Sequence, residues 1–224
     1  MKIGVPKEIK LQETRIGLTP ESVKSLVSNG HEVLIQKNGG FEAGFENSHY
    51  TFAGAKIVNK AEDIFNDSEI IVKVKEPLSE EVKMIKENQI IFTYFHLAAA
   101  KELTQGLIKS KGVCIAYETV TDQNGRLPLL APMSAVAGRM SVQAGAHCLE
   151  KNQKGRGLLL GGAPGVEGGT VVILGGGVVG ENATIIATGM QAKVHIVDKS
   201  EKRLIELTQK YGNKIIPHLS DNVD

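Results

Sequence analysis

A glycine-rich turn between a buried strand and a helix constrains the fold of this chain most. Residues 170–174 (TVVIL) have the apolar, β-branched composition of a buried strand, and GGGVVG follows at once over residues 175–180, before a helical pattern. Gly175 can make a tight turn, Gly177 lets the backbone approach a ligand, and Gly180 lets the helix pack closely on the strand. This stretch therefore predicts a phosphate-binding loop at the N-terminus of a helix.

A second predicted strand ends in an acidic residue at a spacing that favours an adenine dinucleotide. Residues 193–197 lead to Asp198, 23 residues beyond Gly175, and an acid roughly 20 residues after such a loop binds ribose hydroxyls. Its charge would repel a 2′-phosphate, which favours NAD over NADP. A glycine-rich turn that binds no nucleotide is the alternative, and the strand–turn–helix–strand context favours NAD. Three basic residues weaken the preference for NAD without reversing it: Lys199, Lys202 and Arg203.

Strand-like runs alternate with helical patterns along most of the chain, which is typical of βαβ units and a parallel sheet. Strands are predicted at 32–36, 69–75, 89–95, 113–117, 170–174, 193–197 and near 214–216. Helices are predicted from Pro20, near 61–65, after a Ser79 cap, over 98–109 and over 133–150.

Turn residues at 122–125 and 127–132 place a domain boundary near residue 130. We therefore predict an α/β protein with two domains of parallel-sheet βαβ units. Residues 1–130 form the substrate (catalytic) domain. Residues 131–224 form the N-terminal half of a Rossmann-type dinucleotide-binding domain, incomplete at its C-terminal end and entered through the connecting helix 133–150.

Composition argues against several classes of partner. The chain has 26 Lys and Arg and 25 Asp and Glu, so its charge favours neither nucleic acid nor a membrane surface. No secretory signal and no apolar run of roughly 20 residues are present, which predicts a cytoplasmic protein. Cys114 and Cys148 lack CxxC spacing and are expected to be buried free thiols. The histidine spacing does not predict a metal site.

Polar side chains at predicted strand ends form a second candidate site, because ligands of open α/β sheets bind beyond the C-terminal ends of strands. Strand alternation puts Lys73 and Lys75 on one face. Tyr94 and His96 likewise share a face, so consecutive strands could deliver an ammonium group and an imidazole to one cleft. Lys75 could bind a carboxylate or polarise a carbonyl, and His96 could transfer protons. A solvated lysine and a structural histidine are the alternative, and spacing alone favours a surface role for Arg15.

Several longer stretches resemble alanine dehydrogenases, and the similarity runs from Met1 to Asp224. The stretches are IGVPKE (3–8), RIGLTP (15–20), VKEP (74–77), FHL (95–97), LAPMS (130–134), AGR (137–139) and GAPGV (162–166). The resemblance implies reversible oxidative deamination of L-alanine to pyruvate and ammonium with NAD. The nucleotide-binding alpha subunit of proton-translocating transhydrogenase shares the opening motifs, but FHL and PMS resemble the dehydrogenase. Saccharopine- or lysine-forming dehydrogenases are a more distant alternative.

The resemblance also implies roles for single residues. It implies that Arg15 and Lys75 hold the substrate carboxylate and carbonyl, that His96 is the acid/base, and that the protein is a homohexamer. The implied nucleotide contacts are Ser134, Val178, Val179, Asp198, Arg203 and Ser220. The family continues beyond this length, so we expect the nicotinamide side of the pocket and a catalytic aspartate to lie outside the chain. A non-catalytic or partner-dependent NAD-binding fragment is therefore the alternative function.

Overall fold

The chain divides into two units, Met1–Leu127 and Pro128–Asp224. The computed structural model describes residues 1–220. Both units are built on parallel sheets with helices between consecutive strands, which confirms the predicted α/β class.

Unit 1 contains a six-stranded parallel sheet in the order β3-β2-β1-β4-β5-β6. Its strands are β1 (Lys2–Val5), β2 (Glu32–Gln36), β3 (Lys56–Val58), β4 (Ile70–Val72), β5 (Ile90–Thr93) and β6 (Val113–Ala116). Its helices are α1 (Pro20–Ser28), α2 (Asn47–Phe52), α3 (Ala61–Asp67), α4 (Ser79–Val82) and α5 (Lys101–Ser110). The strand order reverses between β1 and β4, so the ends of these two strands form the switch point at which open sheets bind ligands.

The core of unit 1 lies on both faces of this sheet. In β2, Val33 and Ile35 belong to one apolar cluster, whereas Leu34 belongs to the other. Ile71 and Val72 of β4 divide between the two clusters in the same way. Strands buried on both faces read as continuous apolar runs, which is why β2, β4 and β5 are visible in the sequence.

Most predicted elements of unit 1 are present, with shorter bounds at the strand ends. The prediction of Ser79 as a helix cap is wrong: the Glu81 side chain accepts a hydrogen bond from the Leu78 N–H (2.9 Å), so Leu78 is the cap and Ser79 is the first helical residue. The sequence pattern does not predict β1, α2 or β3, which have six residues or fewer. Segments this short hold too few residues for a periodicity to be read.

Unit 2 contains a three-stranded parallel sheet in the order β7-β8-β9. Its strands are β7 (Thr170–Leu174), β8 (Lys193–Asp198) and β9 (Ile215–Leu219), and its helices are α6 (Ala131–Cys148), α7 (Val178–Gly189) and α8 (Glu201–Tyr211). From β7 onward this is the βαβαβ half of a Rossmann-type domain, as predicted. Strand β7 forms one edge of the sheet, where Val172 is 58% and Leu174 is 82% exposed.

The two cysteines are more accessible than predicted. Cys148 is exposed and Cys114 is half-buried, and both thiols are free. Cys114 lies on the edge strand β6 and Cys148 is the last residue of α6, so neither lies at the centre of a core. None of the helices in the described part of the chain is long and apolar enough to cross a membrane.

Helix α6 packs on α7 through a small residue. Gly138 is buried, and a Cβ atom at this position would overlap the carbonyl oxygen of Val179 and lie 3.0 Å from the Ala183 nitrogen. Beside this contact, the Arg139 Nε donates a hydrogen bond to the Asn182 Oδ1 (3.0 Å). The close approach holds the first half of α6 against the first two turns of α7, which follow the glycine-rich loop.

Two glycines of α6 should therefore respond in opposite ways to alanine. Gly138→Ala should lower the free energy of unfolding of unit 2 by about 1–3 kcal/mol, because the backbone of α7 has to move. Gly145→Ala is the matched control: its Cβ meets nothing within 4 Å, so better helix propensity should stabilise the chain by up to about 1 kcal/mol. Urea unfolding of both variants measures the difference, and equal effects would contradict the described packing.

Candidate functional site

The three residues predicted to contact substrate all follow neighbouring strands of unit 1. Arg15 lies between β1 and α1, Lys75 lies three residues after β4, and His96 lies three residues after β5. Both Arg15 and Lys75 act electrostatically on Glu13 and lower the pKa of its carboxyl. The imidazole of His96 stacks on the ring of Tyr94, whose phenol is in turn influenced by the charge of Arg15. The fold therefore brings the three predicted residues to one edge of the sheet.

The Arg15 guanidinium binds a carboxylate of its own chain. Its Nε donates to the Glu13 Oε1 (2.8 Å) and its Nη2 donates to the Oε2 (2.6 Å), while the Arg15 backbone N–H also donates to the Oε1 (2.9 Å). The side chain of Glu13 is 7% exposed, whereas that of Arg15 is 48% exposed. The hydrogen bond from Arg15 is the main reason why the pKa of Glu13 falls to about 2. Arg15 is thus an oriented guanidinium on a half-exposed side chain, and this group suits carboxylates.

Lys75 is held by its backbone. The Glu8 Oε1 accepts hydrogen bonds from the Val74 N–H (2.6 Å) and, less closely, from the Lys75 N–H (3.4 Å). On the other side of the residue, the Thr93 hydroxyl donates to the Lys75 carbonyl (2.8 Å). The position of Lys75 is therefore fixed from both sides by side chains near neighbouring strand ends.

A buried ion cluster, missed in the sequence analysis, supports this arrangement. The Lys73 ammonium lies 3.0 Å from Glu8 and 2.7 Å from Glu81, and all three side chains are 2% exposed or less. Strand alternation places Lys73 on the face of Lys75. The ammonium of Lys73 is, however, paired with both carboxylates and buried, so it is not accessible to a ligand. The position of Lys73 inside the apolar run EIIVKVK could have predicted this cluster, because a charge on a buried strand needs a partner of opposite charge.

His96 has an exposed side chain on a constrained backbone. Its φ of 53° and ψ of 40° place it in the left-handed region, just before the short 3-10 helix Leu97–Ala99. Its ring lies nearly parallel to that of Tyr94 (14°, centroids 6.2 Å apart), and Tyr94 packs edge-on against Tyr117 (4.9 Å). Burial raises the pKa of both tyrosines, so both phenols are neutral near pH 7.

The glycine-rich loop of unit 2 has the geometry that its sequence demands. Gly175 has a φ of 92°, and its N–H donates to the Val197 carbonyl (2.7 Å). A Cβ atom on Gly180 would overlap the Gly175 carbonyl oxygen, so α7 can only start here because residue 180 has no side chain. A Cβ atom on Gly177 would meet nothing within 4 Å. The space above Gly177 at the start of α7 is therefore open to a ligand.

The carboxylate of Asp198 is fixed beside this loop. Its Oδ2 accepts a hydrogen bond from the Gly176 N–H (2.6 Å) and its Oδ1 accepts one from the Ser200 N–H (2.8 Å). These bonds, that from Ser200 first, lower the pKa of Asp198, so the group is ionised at neutral pH. The Ser220 N–H donates to the Asp198 carbonyl (2.9 Å), which places Ser220 beside it.

Arg203 spans the loop and the two helices. Its Nε donates to the Gly176 carbonyl (2.7 Å), and its guanidinium pairs with Glu181 of α7 and with Glu206 of α8. Lys210 also binds Glu181 (2.6 Å). The guanidinium therefore fastens the loop to α7 and α8, and much of its charge is balanced by two carboxylates.

The other residues predicted to contact nucleotide lie around one cavity of about 750 Å³ within unit 2. The cavity is bounded by α6, β7 and the beginning of α7. The predicted residues that line it are Ser134, Gly175, Gly177, Val178, Val179 and Gly180. Within residues 1–220, no group of three or more His, Cys, Asp or Glu side chains could hold a metal ion.

Comparison with known proteins places both units in one family. The family model for "Alanine dehydrogenase/PNT, N-terminal domain" matches residues 4–137, and that for "Alanine dehydrogenase/PNT, C-terminal domain" matches residues 141–223. The chain belongs to the alanine dehydrogenase/PNT family.

Three of the similar curated proteins are alanine dehydrogenases from different organisms. The chain is 52% identical to the alanine dehydrogenase of Halomonas elongata over 96% of its length, and 50% identical to that of Methanococcus maripaludis over 99%. It is 51% identical to that of Bacillus subtilis over its whole length. The chain spans about 60% of the length of these curated relatives: 58%, 60% and 59%, respectively.

Solved structures agree with this assignment. The chain is similar to an L-alanine dehydrogenase with a TM-score of 0.91 and 52% identity, covering 99% of this chain and 61% of that one. It also has the fold of a transhydrogenase from Sinorhizobium meliloti, with a TM-score of 0.80 and 22% identity over 96% of this chain and 64% of that one.

The Glu13–Arg15 pair should make unit 1 sensitive to acid. The pKa of Glu13 in the folded chain, about 2, lies below its ordinary value of 4.5, so its stabilising contribution is complete above pH 4.5 and is lost as the pH falls through 2. Glu13→Gln should therefore flatten the fall of the unfolding free energy between about pH 5 and pH 2.

Urea unfolding of unit 1 at a series of pH values measures this slope. In the Arg15→Ala background, Glu13→Gln should change the slope far less, because the main cause of the low pKa is gone. An equal change in both backgrounds would show that Arg15 does not set the pKa of Glu13.

Proposed function

We propose that this chain carries the substrate-binding part and the adenosine-binding part of an NAD-dependent alanine dehydrogenase. The reaction is the reversible oxidative deamination of L-alanine to pyruvate and ammonium. The observation that carries the proposal is the convergence of Arg15, Lys75 and His96 at the ends of neighbouring strands, in a chain about half identical to alanine dehydrogenases. Because these relatives are longer, the activity is proposed for a protein that includes the remaining part.

Arg15 and Lys75 would hold the two oxygen-bearing groups of the substrate. Glu13 holds the Nε and Nη2 edge of the Arg15 guanidinium, which orients the group, and the carboxylate of alanine or pyruvate would bind the same half-exposed guanidinium. The ammonium of Lys75 would bind the carbonyl oxygen of pyruvate and polarise it. Because the backbone of Lys75 is held by Glu8 and Thr93, binding would cost little further backbone entropy.

His96 would move the protons. Alanine loses one proton from its ammonium group and a hydride from its α-carbon, which gives an iminium ion that water hydrolyses to pyruvate and ammonium. The exposed imidazole of His96 would take a proton from the attacking water and return it to the leaving nitrogen. The stacked, neutral Tyr94 keeps that ring oriented without competing for the proton.

The residues of unit 2 fit NAD. When bound, NAD supplies the hydride acceptor. The open space above Gly177 and the N-terminus of α7 would take the pyrophosphate, and the ionised Asp198 would accept hydrogen bonds from the ribose hydroxyls. Since the charge of Arg203 is balanced by Glu181 and Glu206, its electrostatic attraction for a 2′-phosphate would be weak. This further supports NAD over NADP.

Two alternatives remain distinct from this proposal. A transhydrogenase alpha-subunit-like role is supported by fold alone, at 22% identity, whereas the dehydrogenase role is supported by 50–52% identity. A non-catalytic NAD-binding fragment would bind nucleotide without oxidising alanine. The predicted cytoplasmic location and homohexameric assembly stay predictions, and sedimentation of the purified protein tests the second.

A chimera tests the catalytic proposal. Residues 1–220 joined to the C-terminal 40% of the Bacillus subtilis relative should form NADH from NAD when L-alanine is added, measured at 340 nm. His96→Ala in this chimera should lower kcat by roughly 10²–10⁴-fold, the usual contribution of a positioned acid/base, with little change in melting temperature because the side chain is exposed.

Exposed Glu102→Gln serves as the control variant and should retain activity. A folded chimera that binds NAD but leaves alanine unoxidised would favour the non-catalytic alternative. The 224-residue chain alone should bind ADP-ribose and NAD but oxidise alanine slowly or not at all.

The preference for NAD should depend on Asp198. Asp198→Ala should weaken the binding of NAD by the 224-residue chain and reduce the difference in affinity between NAD and NADP. The hydrogen bonds to the ribose and the repulsion of the 2′-phosphate are lost together in this variant. Calorimetric titration with both nucleotides measures the two affinities. Equal affinity of the unmutated chain for NAD and NADP would refute this assignment of Asp198.

A further inference from the structure

The backbone at His96 adopts a conformation that side chains with a Cβ atom rarely adopt. Its φ of 53° lies in the left-handed region, which costs free energy for residues other than glycine; six other non-glycine residues of the described chain also have a positive φ, so the contacts of His96 decide what this one does. A contact within the fold must offset this cost at His96.

The Glu118 carboxylate makes that contact. Its Oε1 accepts hydrogen bonds from the N–H of His96 (2.7 Å) and from that of Phe95 (3.1 Å), and its Oε2 lies 3.3 Å from the Phe95 nitrogen. Two successive N–H groups converge on one anion, which is the arrangement of a backbone nest. Charge-assisted bonds of this kind are stronger than those between neutral groups.

The position of Glu118 is itself fixed. It lies in the short 3-10 helix Tyr117–Thr119 that follows β6, the strand paired with β5. Tyr117 packs edge-on against Phe92 (4.3 Å), and the Thr119 hydroxyl donates to the Ala116 carbonyl (3.0 Å). The residues on both sides of Glu118 are thus anchored, so its carboxylate can hold the neighbouring strand end in place.

We propose that Glu118 is the positioning residue of His96: by binding the Phe95 and His96 N–H groups, it holds the imidazole on Tyr94 and toward solvent. Glu118 acts through the backbone and does not touch substrate. The value of this orientation for catalysis rests on the proposed function, whereas the orientation itself does not.

Nuclear magnetic resonance of the 224-residue chain tests the orientation without any turnover. The ring signals of His96 are assigned by their absence in His96→Ala. Glu118→Ala should shift these signals, because the ring leaves its place on Tyr94, and Glu118→Gln should shift them less, because an amide oxygen still accepts one N–H. Glu102→Gln removes the same charge from the helix that follows His96 and should leave the signals unchanged.

A stability cycle tests the backbone strain separately. Glu118→Ala should shift the unfolding equilibrium roughly tenfold towards the unfolded chain when residue 96 is histidine. In the His96→Gly background the shift should be clearly larger, because a freed histidine relaxes and recovers its strain energy, whereas glycine adopts the left-handed conformation without a Cβ penalty and has no strain to release. Unchanged His96 ring signals in Glu118→Ala would overturn the proposal. Equal shifts of the unfolding equilibrium in the two backgrounds would overturn it as well.

The chimera separates this inference from the proposed function. Glu118→Gln should lower kcat more than it changes the KM for alanine, and it should have no further effect in the His96→Ala background. A further loss of kcat in that background would show that Glu118 does not act through His96 and would overturn the proposal. If the chimera lacks activity although the His96 signals respond to Glu118, the proposed function fails and the positioning role stands.

Discussion

Carboxylates that bind backbone N–H groups at strand ends organise both units. A parallel strand that ends at the edge of its sheet leaves N–H groups without a ladder partner, and those groups need an acceptor. Glu8, which follows β1, accepts from the end of β4. Glu118, which follows β6, accepts from the end of β5. In unit 2, Asp198 at the end of β8 accepts from Gly176 after β7. In each case the carboxylate lies at or shortly after the end of the neighbouring strand.

This arrangement separates the residues that hold the loops from those proposed to meet a ligand. The carboxylates of Glu8 and Glu118 bind the backbone, and the side chains of Lys75 and His96 are the ones proposed to act on substrate. Asp198 would combine both tasks, because its carboxylate fixes the glycine-rich loop and is also the proposed partner of the ribose. Fixed dipoles and charges in a site need no reorganisation when the reaction occurs, so a rigid strand-end loop suits an enzyme.

The sequence predicts the elements whose pattern is long or whose glycines are sterically required. Strand β7 has the predicted bounds, and the turn at Gly175 and the close contact at Gly180 follow from the absence of side chains there. Short elements such as β3 escape prediction because three residues hold no period. Lys75 and His96 could be singled out because they follow recognisable strands.

The contacts that hold these residues could not be predicted in the same way. Glu118 is 22 residues from His96 and Glu8 is 66 residues from Val74, and no local pattern links residues so far apart. The burial of Lys73 depends on two carboxylates that only the folded sheet brings together. Pairing across strands is a property of the tertiary structure, and a single sequence records it only as isolated charges within apolar runs.

Amide hydrogen exchange of the unmutated chain tests the central role of these carboxylates most directly. The N–H groups of Val74, Phe95, His96 and Gly176 lie outside the strands, yet each donates to a carboxylate. Their exchange should be slowed at least about 100-fold relative to an unstructured peptide, because exchange requires local opening. Exchange of these four amides at the rate of an unstructured chain would contradict the account, since the loops at the strand ends would then be held by something else.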